Sequence, residues 1–252
     1  MSVLIVTGSS RGIGAEVCRI AAKRGWSVCV NYSHSKEEAQ GVVDQIRDAG
    51  GKSIAVKADV SIDGEVRKMF ETVDQQLGSV TALVNNAGVN GLVSRLEDID
   101  SEVTSRVFAV NILGSFLCAR HAIKRMAKRY GGSGGVIVNI SSAAAKHGGA
   151  GSYIDYAASK GALDTFIVGL AKEQAKEGIR VNTLRPGATM TELSMDWARS
   201  NPEWLDGVIE QVPLGRPAEV PEIANAVMWL LSDESSYVTG AILDACGGWV
   251  SP

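Results

Sequence analysis

The stretch Val3-Leu4-Ile5-Val6-Thr7-Gly8-Ser9-Ser10-Arg11-Gly12-Ile13-Gly14 decides how this chain is read. Four consecutive apolar residues fit a strand buried on both faces of a parallel sheet. They run straight into a turn carrying three glycines, after which a helix is expected over 12–24. Glycine permits positive φ and lets the backbone come close to a ligand. The free N–H groups and positive end of the following helix favour a pyrophosphate. The spacing is G-x-x-x-G-x-G rather than G-x-G-x-x-G. A merely structural tight turn would use the same glycines, and it is the strand–helix context that favours a dinucleotide.

That context extends along the chain. Apolar runs at 3–6, 28–30, 53–56, 82–84, 135–140, 180–184 and 241–243 read as strands. Between them, helices are expected near 12–24, 36–49, 62–77, 102–129, 155–177 and 219–232. Such alternation implies βαβ units with right-handed crossovers. The expected fold is α/β, a single-domain Rossmann-type doubly wound parallel sheet of about seven strands with helices on both faces. The 252 residues suit one large domain covering 1–252, without repeat or linker. The interruption at 188–218, rich in Met, Trp and Pro, reads as a substrate lid.

Composition narrows the function. A net charge of -3 gives no electrostatic case for nucleic acid. No apolar run is expected to reach the ~20 residues that span a bilayer. Met1-Ser2-Val3 offers no basic n-region, so no secretory signal is expected and the location expected is cytoplasmic. Cys18, Cys29, Cys118 and Cys246 form no C-x-x-C pair and read as reduced structural thiols. His34, His121 and His147 lack ligand spacing, so no metal site is expected. His147 reads as a loop or pocket-rim residue.

Ligands of an open parallel sheet sit outside the carboxyl ends of its strands. Here those ends run into the glycine turn, Asp59-Val60, Asn85-Asn86-Ala87-Gly88, Ser141-Ser142 and Arg185-Pro186-Gly187. Small, polar or turn-forming residues at all of them point to one site along a single sheet edge. The second strand ends in Asn31-Tyr32-Ser33-His34, without the acidic residue that usually holds an NAD ribose. Arg11 in the glycine turn could fork onto a 2′-phosphate, or be a solvated loop residue. NADP(H) is therefore expected in preference to NAD(H), although Ser33 is not basic. Asp59 could accept from the adenine amino group, or cap a helix with Ser61 as competitor.

Tyr156-Ala157-Ala158-Ser159-Lys160 begins a helix, and residues four apart share a face. Free tyrosine has a pKa of about 10. A neighbouring ammonium lowers it and makes the phenol a usable acid or base. Y-x-x-x-K alone is common and often a surface aromatic–amine pair. Its company here is Ser142 at a strand end and Asn111 within a long helix, where asparagine has modest propensity. Tyr153 is set aside, because Ala157 and not lysine follows four residues on.

Taken together, Thr7-Gly8-x-x-x-Gly12-x-Gly14, Asp59, Asn85-Asn86-Ala87-Gly88, Asn111, Ser142, Tyr156-x-x-x-Lys160 and Pro186-Gly187 with Thr191 resemble the short-chain dehydrogenase/reductase family over essentially the full length. The group holding 3-oxoacyl-carrier-protein reductases and glucose 1-dehydrogenase-like enzymes is most similar. The resemblance implies catalytic roles for Ser142, Tyr156, Lys160 and Asn111. Tyr156 would exchange a proton with the substrate oxygen, Lys160 would lower its pKa and hold the nicotinamide ribose, Ser142 would bond the substrate oxygen, and Asn111 would position a water. Cofactor contacts are implied at Gly8, Ser10, Arg11, Gly12, Ile13, Gly14, Tyr32, Ser33, Asp59, Val60, Asn86, Ala87, Gly88, Tyr156, Lys160, Pro186, Gly187, Thr189 and Thr191. The segment 143–155 is one residue longer than the family pattern, which leaves Ser141 open beside Ser142.

Met190, Leu193, Met195, Trp197, Trp204 and Leu205 of the lid either wall an apolar pocket or pack on the domain. The substrate expected is a small or medium carbonyl compound, a sugar or a secondary alcohol. A sugar dehydrogenase and a non-catalytic nicotinamide sensor are the competing functions. Ala157, Gly161, Thr165 and Gly169 form a row of small residues, and the resemblance favours a homotetramer. Gly247-Gly248-Trp249 could reach the active site or a partner.

Overall fold

Alternate residues of the buried strands serve two cores. The computed structural model describes residues 2–91, 93–192, 194–195 and 202–250, the side chains of Pro202, Trp204, Leu205 and Val208 excepted. Strands β1 (Val3–Val6), β2 (Ser27–Tyr32), β3 (Lys52–Lys57), β4 (Ala82–Asn85), β5 (Gly135–Ile140), β6 (Ile179–Pro186) and β7 (Ile242–Ala245) form one sheet in the order β3-β2-β1-β4-β5-β6-β7. Every pairing is parallel. The order reverses between β1 and β4, opening a crevice at the carboxyl edge.

On one face lie α1 (Gly12–Lys23), α2 (Lys36–Asp48) and α9 (Val220–Leu231), packed on Leu4, Val6, Val28, Val30, Val84 and Leu184. On the other lie α3 (Asp63–Gln76), α5 (Gly114–Met126) and α7 (Ile154–Gln174), packed on Ile5, Cys29, Leu83, Ile137 and Val181. Leu4 and Val6 point one way and Ile5 the other, as the two-residue period of a strand demands. Fully burying such a side chain contributes roughly 1.5–3 kcal/mol. All four cysteines are buried free thiols.

The expected single helix over 102–129 is divided. It comprises α4 (Ser101–Phe108), a π-turn at Ala109–Leu113, α5, and a 3₁₀ turn at Lys128–Tyr130. Asn111 sits in the π-turn, and wide turns of this kind occur often at functional sites. The stretch Ser101–Met126 is also long and apolar enough to cross a membrane by length and composition, contrary to the expectation from apolar runs. Its Val107, Val110, Leu117, Cys118 and Ala122 are buried within the fold, which accounts for that apolarity. Among the described residues, α6 (Ala144–His147) after β5 and α8 (Pro202–Gln211) in the lid were not expected.

Neither candidate caps α3. Its cap position is Ile62, without a side-chain bond. Asp59 Oδ1 instead accepts from Ser61 N at 3.0 Å and Ser61 Oγ at 2.7 Å, so the two close a turn ahead of the helix.

Candidate active site

The glycine turn is held from both sides by asparagines. Asn31, at the end of β2, accepts from Gly8 N at 3.0 Å and donates to Ala58 O at 3.0 Å. Ser9 Oγ donates to Val6 O at 2.7 Å and accepts from Asn31 N at 3.1 Å. Across the crevice, Asn86 Nδ2 donates to Thr7 O and Gly8 O, each at 2.9 Å. Thr7 Oγ1 accepts the N–H groups of Asn86 and Ala87, each at 3.0 Å. This close fit explains two of the glycines. A Cβ on Gly8 would stand 2.8 Å from Ala87 Cα, and one on Gly14 would stand 2.6 Å from Asn86 Nδ2. Gly8 and Gly12 also take positive φ, 59° and 58°.

The start of α1 suits an anion. Arg11 occupies its cap position with no side-chain bond, and the first turn carries no acidic residue. The helix N–H groups and dipole are thereby left for a ligand, as a dinucleotide pyrophosphate requires. Arg11 is exposed, while Ser10 and Ile13 are half-buried. At the adenine end, Tyr32 is mostly within the core and Ser33 is half-buried. Val60 is buried against Gly114. Asp59 pairs with Arg106 of α4 at 2.8 Å. Burial disfavours its charge, but hydrogen bonds from Ser61 and Arg106 outweigh that and hold its pKa below the ordinary value.

Tyr156 and Lys160 stand one turn apart at the start of α7. Lys160 is 3% exposed, and its Nζ donates to Ile140 O at 2.8 Å while lying 5.5 Å from the Tyr156 ring centre. Asn111, fully buried, accepts from Val89 N at 2.8 Å and donates to Val89 O at 3.0 Å and Ser159 Oγ at 2.9 Å. The two serines of 141–142 separate clearly. Ser141 Oγ turns inward to Lys160 O at 3.1 Å and is buried. Ser142 is half-buried, accepts from Ala144 N at 3.1 Å and bears on the Tyr156 phenol. The 143–155 segment forms α6 and turns at Gly148, Gly149 and Gly151, which take positive φ.

One electrostatic expectation is corrected. Burial raises the Tyr156 pKa above its ordinary value, against the hydrogen-bonding influence of Ser142. Burial also pushes the Lys160 amine down to about 8, with Asp164 pulling it the other way. Desolvation therefore outweighs any help from the lysine, whose Nζ is turned toward Ile140 O.

A family profile described as Enoyl-(Acyl carrier protein) reductase matches residues 8–250. The uncharacterized oxidoreductase YgfF of Escherichia coli K12 is 46% identical over 98% of this chain and 100% of its own. The 3-oxoacyl-[acyl-carrier-protein] reductase FabG of Staphylococcus epidermidis is 35% identical over 97% of each chain. Among solved structures, a mutant short-chain dehydrogenase/reductase of Serratia marcescens superposes with a TM-score of 0.90 at 31% identity, over 99% of this chain and 98% of its own. The angucycline C-6 ketoreductase LanV with bound NADP gives 0.90 at 30% identity, over 99% and 95%. The chain belongs to the short-chain dehydrogenase/reductase family. It is an oxidoreductase with a nicotinamide-binding Rossmann fold.

Within this reductase fold, the end of β6 completes the crevice. Gly187 N donates to Ala245 O at 3.0 Å, and a Cβ on Gly187 would stand 2.7 Å from Cys246 Cα. Pro186 O accepts from Ala143 N at 2.9 Å, tying β6 to the Ser142 segment. Ser194 Oγ donates to Thr189 O at 2.6 Å and stands 3.0 Å from Thr191 Oγ1, while Thr191 reaches within 3.6 Å of where a Gly12 Cβ would be. Gly88 borders both Asn111 and Lys160. Met190 and Met195 are half-buried; Leu193 and Trp197 lie outside the described residues, as do the side chains of Trp204 and Leu205. Sequence reasoning missed Asn31, Ser9, Arg106, Ser159 and Ser194. Asn31 alone carried a signal, an amide closing an otherwise apolar strand.

Proposed function

We propose that this enzyme interconverts a carbonyl compound and its alcohol with NADP(H), using Tyr156 as the proton-transfer group. The observation that carries the reading is the Ser142–Tyr156–Lys160–Asn111 cluster at the crevice edge, facing a turn whose glycines and uncapped helix suit a pyrophosphate. The bound cofactor supplies the hydride to the carbonyl carbon. Tyr156 gives its phenolic proton to the carbonyl oxygen, and its raised pKa keeps that proton in place at neutral pH. Ser142 donates to the same oxygen and stabilises its developing charge. Lys160 would hold the nicotinamide ribose. Gly88 carries no side chain where a Cβ would stand 3.4 Å from both Asn111 Oδ1 and Lys160 Nζ. Asn111 would position a water that links Lys160 to solvent and returns the proton.

The cofactor residues are those named from the sequence: Gly8, Ser10, Arg11, Gly12, Ile13 and Gly14 around the pyrophosphate and 2′-phosphate; Tyr32, Ser33, Asp59 and Val60 at the adenosine end. Asn86, Ala87, Gly88, Tyr156, Lys160, Pro186, Gly187, Thr189 and Thr191 would line the nicotinamide end. Exposed Arg11 supports NADP over NAD. The enzyme is cytoplasmic and a homotetramer in this reading. Phe108, Leu113, Phe116 and Val168 are exposed on α4, the π-turn, α5 and α7, and a Cβ on Gly161 or Gly169 would meet open space. Apolar surface of that kind favours a partner subunit.

The test is turnover with NADPH and NADH against a carbonyl panel, and with NADP and NAD against sugars and alcohols. Carbonyl reduction with NADPH is expected. Tight cofactor binding without turnover on either panel would sink the proposal.

A further inference from the structure

Four aromatic rings run from the proton-transfer group toward the C-terminal segment. Tyr156 meets Tyr153 edge-on with centres 5.8 Å apart, Tyr153 meets His147 at 6.3 Å, and His147 meets Trp249 at 5.2 Å. None of the four belongs to either core, and each keeps exposed surface. Tyr153, Tyr156 and Trp249 are partly buried and His147 is exposed, and the fold fixes all four in place.

His147 Nδ1 accepts from Gly149 N at 3.2 Å, and Gly149 presses on Tyr153, where a Cβ would stand 2.9 Å from Tyr153 O. Gly247 and Gly248 take φ of 62° and 89° against Val212 and Pro213, turning the chain back so that Trp249 reaches His147. Lys146 Nζ pins Val250 O at 2.9 Å, and Trp249 Nε1 donates to Gln211 Oε1 of α8 at 3.3 Å. Lys146 turns its amine to Asp244 at 2.9 Å, and burial lowers the His147 pKa, which favours the neutral imidazole.

We propose that these rings select the substrate: a carbonyl compound whose reacting C=O is attached to a flat, uncharged aromatic or conjugated group that packs on Tyr153, His147 and Trp249. This deepens the carbonyl-reductase reading and rests on it for the position of the reacting carbonyl. A planar π-system gains offset or edge contacts that a saturated ring of equal size lacks, worth roughly 2- to 10-fold in affinity per aromatic neighbour.

The experiment compares phenyl methyl ketone with cyclohexyl methyl ketone, and glucose as an uncharged polyol. Steady-state kinetics are run with NADPH for the ketones and NADP for glucose. Calorimetric titration of each ketone into the protein–NADP complex reads binding without turnover. Wild type, Trp249→Leu and Trp249→Phe are measured, each checked for folding by circular dichroism. The wall predicts roughly 10-fold tighter binding of the aryl ketone. That preference collapses in Trp249→Leu and returns in Trp249→Phe. Equal affinity for the two ketones, an unchanged preference in Trp249→Leu, or glucose as the better substrate overturns the inference. Aryl-selective binding with no turnover leaves the wall standing and refutes the reductase reading instead.

Discussion

Asp164 lies one helical turn beyond Lys160, and its buried pairing with Arg185 can be tested on stability and on chemistry at once. Both side chains are enclosed, 8% and 13% exposed, and Arg185 places Nε and a terminal nitrogen on Asp164 Oδ2, each at 2.8 Å. Arg185 continues to Asp244 at 3.3 Å, and Asp244 to Lys146 at 2.9 Å. Burial still raises the Asp164 pKa above its ordinary value, against the hydrogen bonds from Arg185. Arg185→Met strips Asp164 of its cation and should cost about 3–5 kcal/mol, the usual result of orphaning a buried charge. Asp164→Asn is milder, because Arg185 keeps Asp244, and should cost about 1–3 kcal/mol. The double variant should cost less than the sum of the two by about 2 kcal/mol. Urea unfolding at constant slope measures all three. The chemical consequence has a definite sign. Asp164 favours the ammonium form of Lys160, whose pKa is about 8. Reductive kcat/KM should therefore fall as pH rises through about 8, and Asp164→Asn should move that fall to lower pH. A cost below about 1 kcal/mol for Arg185→Met, or an unmoved alkaline limb in a folded Asp164→Asn, would refute the reasoning.

Tyr156→Phe should lower kcat by roughly 10²–10⁴ while leaving cofactor affinity within a few-fold, read by kinetics and NADPH fluorescence titration. Ser142→Ala should be impaired far more than Ser141→Ala in kcat, and the reverse ranking would reassign the serine. Gly14→Ala drives a Cβ into Asn86 Nδ2 and Ser9 and should weaken NADPH binding at least tenfold, measured by the same titration. Arg11→Ala should raise the Kd for NADPH and leave that for NADH nearly unchanged. If both move together, Arg11 does not read the 2′-phosphate.

Much of the fold was legible because buried parallel strands are written as apolar runs. All seven strands lie where those runs stand; most are lengthened by one or two residues at an end, and β7 begins one residue later than its run and ends two later. The glycine turn and the Tyr156–Lys160 pair were legible for a related reason, since both depend on local spacing. What stayed hidden depends on contacts distant in sequence. Arg106 reaches Asp59 across 47 positions, and Asn111 reaches Ser159 across 48. The π-turn follows from such contacts, because Asn111 is tied to Val89 as well as Ser159, and helix propensity carries no trace of that. The electrostatics of Tyr156 were misjudged for the same reason. Spacing along a helix reports the neighbouring ammonium, whereas burial, which outweighs it, is a property of the assembled fold.

Four buried asparagines share a logic that explains why the site forms at this edge. Asn31, Asn85, Asn139 and Asn182 sit in β2, β4, β5 and β6, each no more than 3% exposed. An apolar residue at any of them would satisfy the core but leave a neighbouring loop unanchored. Asn31 fixes the glycine turn to the end of β3. Asn85 donates to Asn139 at 2.9 Å and to Ser115 O at 3.3 Å, locking β4 and β5 in register beneath the Asn86–Gly88 segment. Asn182 holds the approach to β7 through Val238 O and Ala241 N. The arrangement is not free. Asn85 Oδ1 and Asn139 Nδ2 are buried without a partner among the described residues, and such a group costs about 1–3 kcal/mol. A core selected for stability alone would discard them. Their presence fits a sheet whose carboxyl edge must hold several separate loops in fixed relation, as the proton transfer proposed for Tyr156 would require.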